Sequence, residues 1–143
     1  MKSIILSLSI VLVLSMGISH AVFAQSTSLE LTTPTADKIS GGDKKGTLAL
    51  NTQNNTVTGT ATMYEPAAEG KVYEGWFEDK GDASGYSLSQ GKFDENDTLN
   101  INQTMVNPYT YSVFYVTAEP ADDPDPNPSS VVVGVELPSP FGQ

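Results

Sequence analysis

Thr56-Val57-Thr58-Gly59-Thr60-Ala61-Thr62-Met63 alternates without a break. The four threonines fall on one side of an extended chain, and Val57, Gly59, Ala61 and Met63 fall on the other. A strand turns successive side chains to opposite faces, so this pattern places a polar face outward and an apolar face on a core. A helix would scatter the same threonines around its circumference, and the period-2 reading therefore excludes it.

The same period extends in both directions. Thr47 to Asn51 alternates with Leu48 and Leu50 on one face, and Asn51-Thr52-Gln53-Asn54-Asn55 reads as the turn that makes it a hairpin with the threonine strand. Lys71 to Asp79 follows, with Tyr73, Gly75 and Phe77 on one side and Val72 and Trp76 on the other. Ser84 to Phe93 and Thr98 to Ile101 flank the turn Asp94-Glu95-Asn96-Asp97. Tyr109 to Glu119 is the strongest strand, with aromatic and β-branched residues on both faces, as expected of a central strand or of one with a face that meets a partner. Pro120 to Ser130 is a Pro/Asp loop, and Val131 to Leu137 closes the series. The expected fold is all-β, an antiparallel sandwich of about seven or eight strands, because each half-apolar sheet must cover its inner face.

The ends read differently. Residues 1–24 have the three parts of a secretory signal: Lys2, an apolar run from Ile4 to Ile18, and Val22 and Ala24 before a cut. The run is shorter than the ~20 residues that span a bilayer. Cleavage would leave Gln25 first; an uncleaved anchor is the alternative. No cysteine follows for lipid attachment. Residues 25–45 are Ser-, Thr-, Lys- and Gly-rich, and only Leu29-Glu30-Leu31-Thr32 looks extended, so the segment is expected to be a flexible leader or one detached strand. Residues 46–137 form the expected sandwich and 138–143 a tail.

Composition narrows the chemistry. The chain has no cysteine and no arginine, and its one histidine, His20, lies in the signal-like segment. Ser-His-Asp and Cys-His nucleophilic sites and ordinary zinc sites are thereby excluded from the mature part. Loss of Lys2 with the signal leaves 6 lysines against 17 acids, a formal charge of −11. Such a surface repels phosphate backbones and anionic membranes, so no nucleic-acid partner is expected, and no stable membrane span once the signal is cut. A carboxylate pair acting as a hydrolase remains formally open, although no acidic pair is marked in the sequence.

Four sets of residues are candidates for function. Asp122, Asp123 and Asp125 cluster hard oxygen ligands in a turn, as calcium requires, without the spacing of an EF-hand; calcium is the one possible cofactor. Tyr111 and Tyr115 share a face of the strongest strand and, with Trp76, form a possible partner-binding platform; the rival reading makes both faces core. Asn54, Asn96 and Asn102 head Asn-x-Thr sequons in or beside turns, open to glycosylation in a host that performs it. Leu29–Thr32 could add to a neighbour's sheet edge and build a filament.

Lys71-Val72-Tyr73-Glu74-Gly75-Trp76-Phe77, Ser89-Gln90-Gly91-Lys92-Phe93 and Phe114-Tyr115-Val116-Thr117-Ala118-Glu119-Pro120, in that order, resemble the Tyr-x-x-Trp, Gly-x-Phe and Val-Thr-x-Glu-Pro elements of the C-terminal domain of anti-sigma-K factors (RskA). The resemblance covers about Gly46 to Leu137. It departs at Asp122 to Ser129, where the family has Gly-Gly and then Pro-Thr-Gly. It implies an extracytoplasmic β-sandwich without catalytic residues. It does not imply sigma-factor inhibition, because the sigma-binding region and the transmembrane helix of complete anti-sigma factors have no counterpart here. The expectation is a secreted or surface-associated, non-enzymatic module that binds a protein or envelope component, with a self-associating filament subunit as the alternative.

Overall fold

The computed structural model describes residues 25–79, 85–138 and 141. The signal-like segment lies outside the described residues. Among the described residues there are eight strands: β1 Gln25–Thr32, β2 Lys44–Gln53, β3 Thr56–Met63, β4 Lys71–Asp79, β5 Ser87–Lys92, β6 Thr98–Thr104, β7 Tyr111–Pro120 and β8 Val131–Glu136. A 3-10 turn, Pro108–Thr110, precedes β7; Asn107 caps it by accepting the Tyr109 N–H at 3.0 Å. Among the described residues no helix is long and apolar enough to cross a membrane.

Every pairing is antiparallel, and the strands make one sheet in the order β5-β4-β7-β8-β1-β2-β3-β6. Its middle is its thinnest point: β8 and β1 share one register pair, Thr32 with Gly134. The sheet thus folds into two four-stranded layers, β5-β4-β7-β8 and β1-β2-β3-β6. This is the expected all-β sandwich, in the form of one nearly closed sheet. Leu48, Leu50, Val57, Leu99 and Ile101 from one layer and Tyr73, Phe77, Phe114 and Val116 from the other fill the space between. Burying a Val, Leu or Phe side chain contributes about 1.5–3 kcal/mol, so this set stands in for the disulfides the chain lacks. The layers approach closely at Gly75, where an added Cβ would stand 2.5 Å from Leu99 Cδ2.

The expectation for residues 25–45 is corrected. Gln25–Thr32 is neither flexible nor detached, since each of its residues has a register partner in β2. Leu31 supplies the reason: it is fully buried in the core, where its period-2 neighbour Leu29 also packs. The tail is corrected at one residue. Phe141 is buried, with its ring 6.0 Å from that of Tyr109.

The Thr33–Asp43 connection is compact. The Thr33 N–H donates to Asp43 O and the Gly42 N–H to Thr33 O, both at 2.9 Å, while Thr33 Oγ1 accepts the Asp43 N–H. It lays Ile39 over the outside of β8, where Gly134 leaves room; a Cβ there would stand 2.7 Å from Ile39 O. A second, smaller apolar cluster forms under it from Trp76, Val113 and Tyr115 with Ile39 and Val131.

Candidate binding surfaces

The aromatic candidates separate. Trp76 and Tyr115 are register partners on β4 and β7 and stack with ring centroids 6.5 Å apart. They are only 4% and 3% exposed, so neither ring is open to a partner. Tyr115 also donates its hydroxyl to Ser87 Oγ at 2.7 Å. Burial holds its phenol above the ordinary tyrosine range; the Glu78 and Glu119 charges add to this and the Ser87 bond offsets part of it. Tyr111 lies on the other face, against Phe77. The register shifts beside it: Val113 pairs with Glu78 but Tyr111 with Asp79, so Ser112 is the extra residue of a bulge. A bulge reverses the alternation beyond it, and that is why 111, 113 and 115 do not share a face.

The acidic candidates are occupied by their own loop. Asp123 Oδ1 accepts the Asp125 N–H at 2.8 Å, and Asp125 Oδ1 accepts the Asn127 N–H at 3.0 Å and its side-chain amide at 2.7 Å. Asp122 is exposed. Among the described residues no three His, Cys, Asp or Glu side chains gather so as to hold a metal ion. A shallow depression of about 300 Å³ is lined in part by Asp94, Glu95 and Asp97. Asp94 Oδ1 is committed to the turn, accepting the Asn96 and Thr98 N–H groups at 2.9 and 3.0 Å.

The loop is tied down by a buried carboxylate that sequence reading passed over. Glu119 is 3% exposed. It accepts the Ser129 N–H at 2.9 Å, the Ser129 hydroxyl, and the Thr117 hydroxyl, which itself accepts the Trp76 indole N–H at 2.9 Å. Burial pushes this carboxyl upward. The Ser129 N–H and hydroxyl, the Thr117 hydroxyl and the charge of Lys71 outweigh it and hold the group below the ordinary value. Only the Val-Thr-x-Glu-Pro segment carried a trace of this role, since a glutamate amid β-branched residues must find partners.

The three sequon asparagines are all exposed: Asn54 in the β2–β3 turn, Asn96 in the β5–β6 turn and Asn102 on the outer face of β6. Asn54 has φ 54°, a left-handed conformation that asparagine tolerates better than most residues.

Asn102 belongs to a larger surface. The register across β1, β2, β3 and β6 sets outward residues in rows: Glu30-Thr47-Thr62-Thr98, then Ser28-Ala49-Thr60-Asn100, then Ser26-Asn51-Thr58-Asn102, and finally Gln53-Thr56-Thr104. Rows lie about 7 Å apart along the strands, with about 4.8 Å between strands. Glu30 is the one acid in this array, and Lys44 pairs with it at 2.7 Å. Hydroxyls meet across strands, as at Thr56 and Thr104, whose Oγ1 atoms are 3.3 Å apart. A shallow groove of about 540 Å³, lined by Asn51, Gln53, Asn54, Asn55, Thr56 and Thr58, continues the surface at the hairpin end. On a chain of formal charge −10, this is a field of hydroxyl and amide groups whose one acid is paired with a lysine.

Comparison with family models, with curated proteins and with solved structures gives no match.

Proposed function

We propose that this chain is a secreted or surface-held, non-enzymatic binding module that engages a neutral envelope polysaccharide through the outer face of β1-β2-β3-β6. The observation that carries the reading is the array itself. Four strands present regularly spaced hydroxyl and amide groups, and the one acid among them is neutralised by a lysine. Each hydrogen bond from such a face contributes little, because water competes for it. A repeating polymer engages many at once, and linked contacts gain from effective concentration. The signal-like segment at 1–24 and the resemblance to an anti-sigma extracytoplasmic domain support a place outside the cytoplasm.

Co-sedimentation of the protein with insoluble neutral cell-wall polysaccharide tests the reading. Wild type should pellet with it, and N51E/T58E, which charges the centre of the face, should remain in solution. A wild type that stays in the supernatant, or a variant that pellets equally, overturns it.

A further inference from the structure

We infer that β6 is a pairing edge for a second copy of this chain, and that two molecules join through antiparallel β6 strands about a two-fold axis at Ile101. Among the described residues the nearly closed sheet has no hydrogen-bonded register between its terminal strands, β5 and β6, so each has one unpaired edge. They are not alike. β5 is kinked: its register against β4 shifts between Gly75 and Trp76, and Gly91 has φ 103°. It ends at Lys92. A bulge and a lysine are the means by which edge strands avoid pairing with strangers. β6, Thr98-Leu99-Asn100-Ile101-Asn102-Gln103-Thr104, has no charge, no proline and an unbroken register with β3 from end to end.

The direction of its backbone groups follows from the bonds at its two ends. Asp97 O accepts the Met63 N–H at 3.0 Å, and the Met105 N–H donates to Asn55 O at 2.7 Å. Odd-numbered residues therefore turn their backbone groups to β3, and even-numbered ones turn theirs to the free edge. Of these, Thr98 is taken up by the turn: its N–H donates to Asp94 Oδ1 and its C=O accepts the Asp94 N–H. The carbonyl of Thr104 accepts from the Gln103 side-chain amide at 3.0 Å. Asn100 and Asn102 are left with both backbone groups directed outward. An antiparallel pair that sets Asn100 of one copy opposite Asn102 of the other satisfies all four groups of each strand's two asparagines. It also brings the two Ile101 residues opposite each other at the intervening position.

Charge selects the same occupant. Two copies of an acidic chain repel over most of their surface, whereas β6 is uncharged and the one acid on the face beside it is paired with a lysine. A second copy meets its least repulsion there, and the two polar faces merge into one eight-stranded field. The interface does not depend on what that face binds.

Sedimentation equilibrium and light scattering of the unglycosylated protein test the pairing, with N100K/N102K, N100D/N102D and their equimolar mixture as variants. Both side chains are exposed, and a thermal melt checks that each variant folds. Wild type should show twice the monomer mass at high micromolar concentration. Each variant should dimerise at least about tenfold more weakly, because like charges then stand directly opposite. Mixing the two should restore a dimer, since opposite charges then face each other across the axis. A wild type that stays monomeric overturns the inference, as does a variant that dimerises like wild type or a mixture that fails to associate.

Discussion

Trp76 donates its indole N–H to Thr117 Oγ1 at 2.9 Å, from one strand to the next on the outer face of β4 and β7, beside the second apolar cluster. The bond is the first link of a chain that runs through the Thr117 hydroxyl to Glu119 and on to Ser129. One end is a buried ring and the other a surface loop, so the Pro/Asp connection is held by the sheet's second apolar cluster.

E119Q should cost about 2–3 kcal/mol of stability, because a charge-assisted acceptor is lost and an amide N–H then faces a donor. Urea unfolding measures it. E119A, which leaves Ser129 and Thr117 without their acceptor, should cost at least as much and should expose the 121–130 loop to proteolysis.

The same carboxyl sets an acid limb. Its folded value lies below its unfolded one, so its contribution is fully present above the ordinary carboxylate range. That contribution is lost as pH falls from that range down through the folded value. Melting temperature followed between pH 6 and 2 should decline more steeply in wild type than in E119Q.

The alkaline limb belongs to tyrosines. Burial raises Tyr73, Tyr111 and Tyr115, with nearby acids adding in each case. A phenol raised in the folded state contributes fully below its unfolded value, near 10, and the contribution disappears as pH rises through the folded one. Stability should therefore begin to fall above about pH 10. Y115F should flatten that limb, as denaturant melts at pH 9 and 11 would show.

G134A drives a methyl against Ile39 O, 2.7 Å from the ideal Cβ position. The Thr33–Asp43 connection must lift, at a cost of about 1–3 kcal/mol. Trp76 lies in the cluster beneath it, so its fluorescence should shift to the red while the main core stays formed.

T52V should leave stability unchanged or raise it by up to about 1 kcal/mol. Thr52 Oγ1 is buried without a partner, and a methyl of the same shape removes an unsatisfied hydroxyl. A denaturant midpoint lower than that of wild type would contradict this.

Alternation made most of the strands legible, from β2 and β3 through β4 to β7, and the sandwich followed because half-apolar strands require a facing layer. Other features depend on residues distant in sequence. Nothing local distinguishes a leader from a strand at Gln25–Thr32, whose few apolar side chains gain a core only when β2 lies beside them. The single-residue bulge at Ser112 leaves no mark on composition, yet it moved Tyr111 away from Tyr115. The aspartates at 122–125 look like a cation site in a linear reading, but short side chains in a tight loop bond their own backbone first.

The sequence by itself determined that this is a cysteine-free, acidic, antiparallel β protein whose one histidine, His20, lies in the signal-like segment, because period and composition act residue by residue. Tertiary structure alone decided that β1 fills the middle of the sheet and that Trp76 is covered. It also decided that Thr58 and Asn102, 44 positions apart, sit side by side on one polar face. Register and layer packing are relations between strands, and no single strand carries the information that sets them.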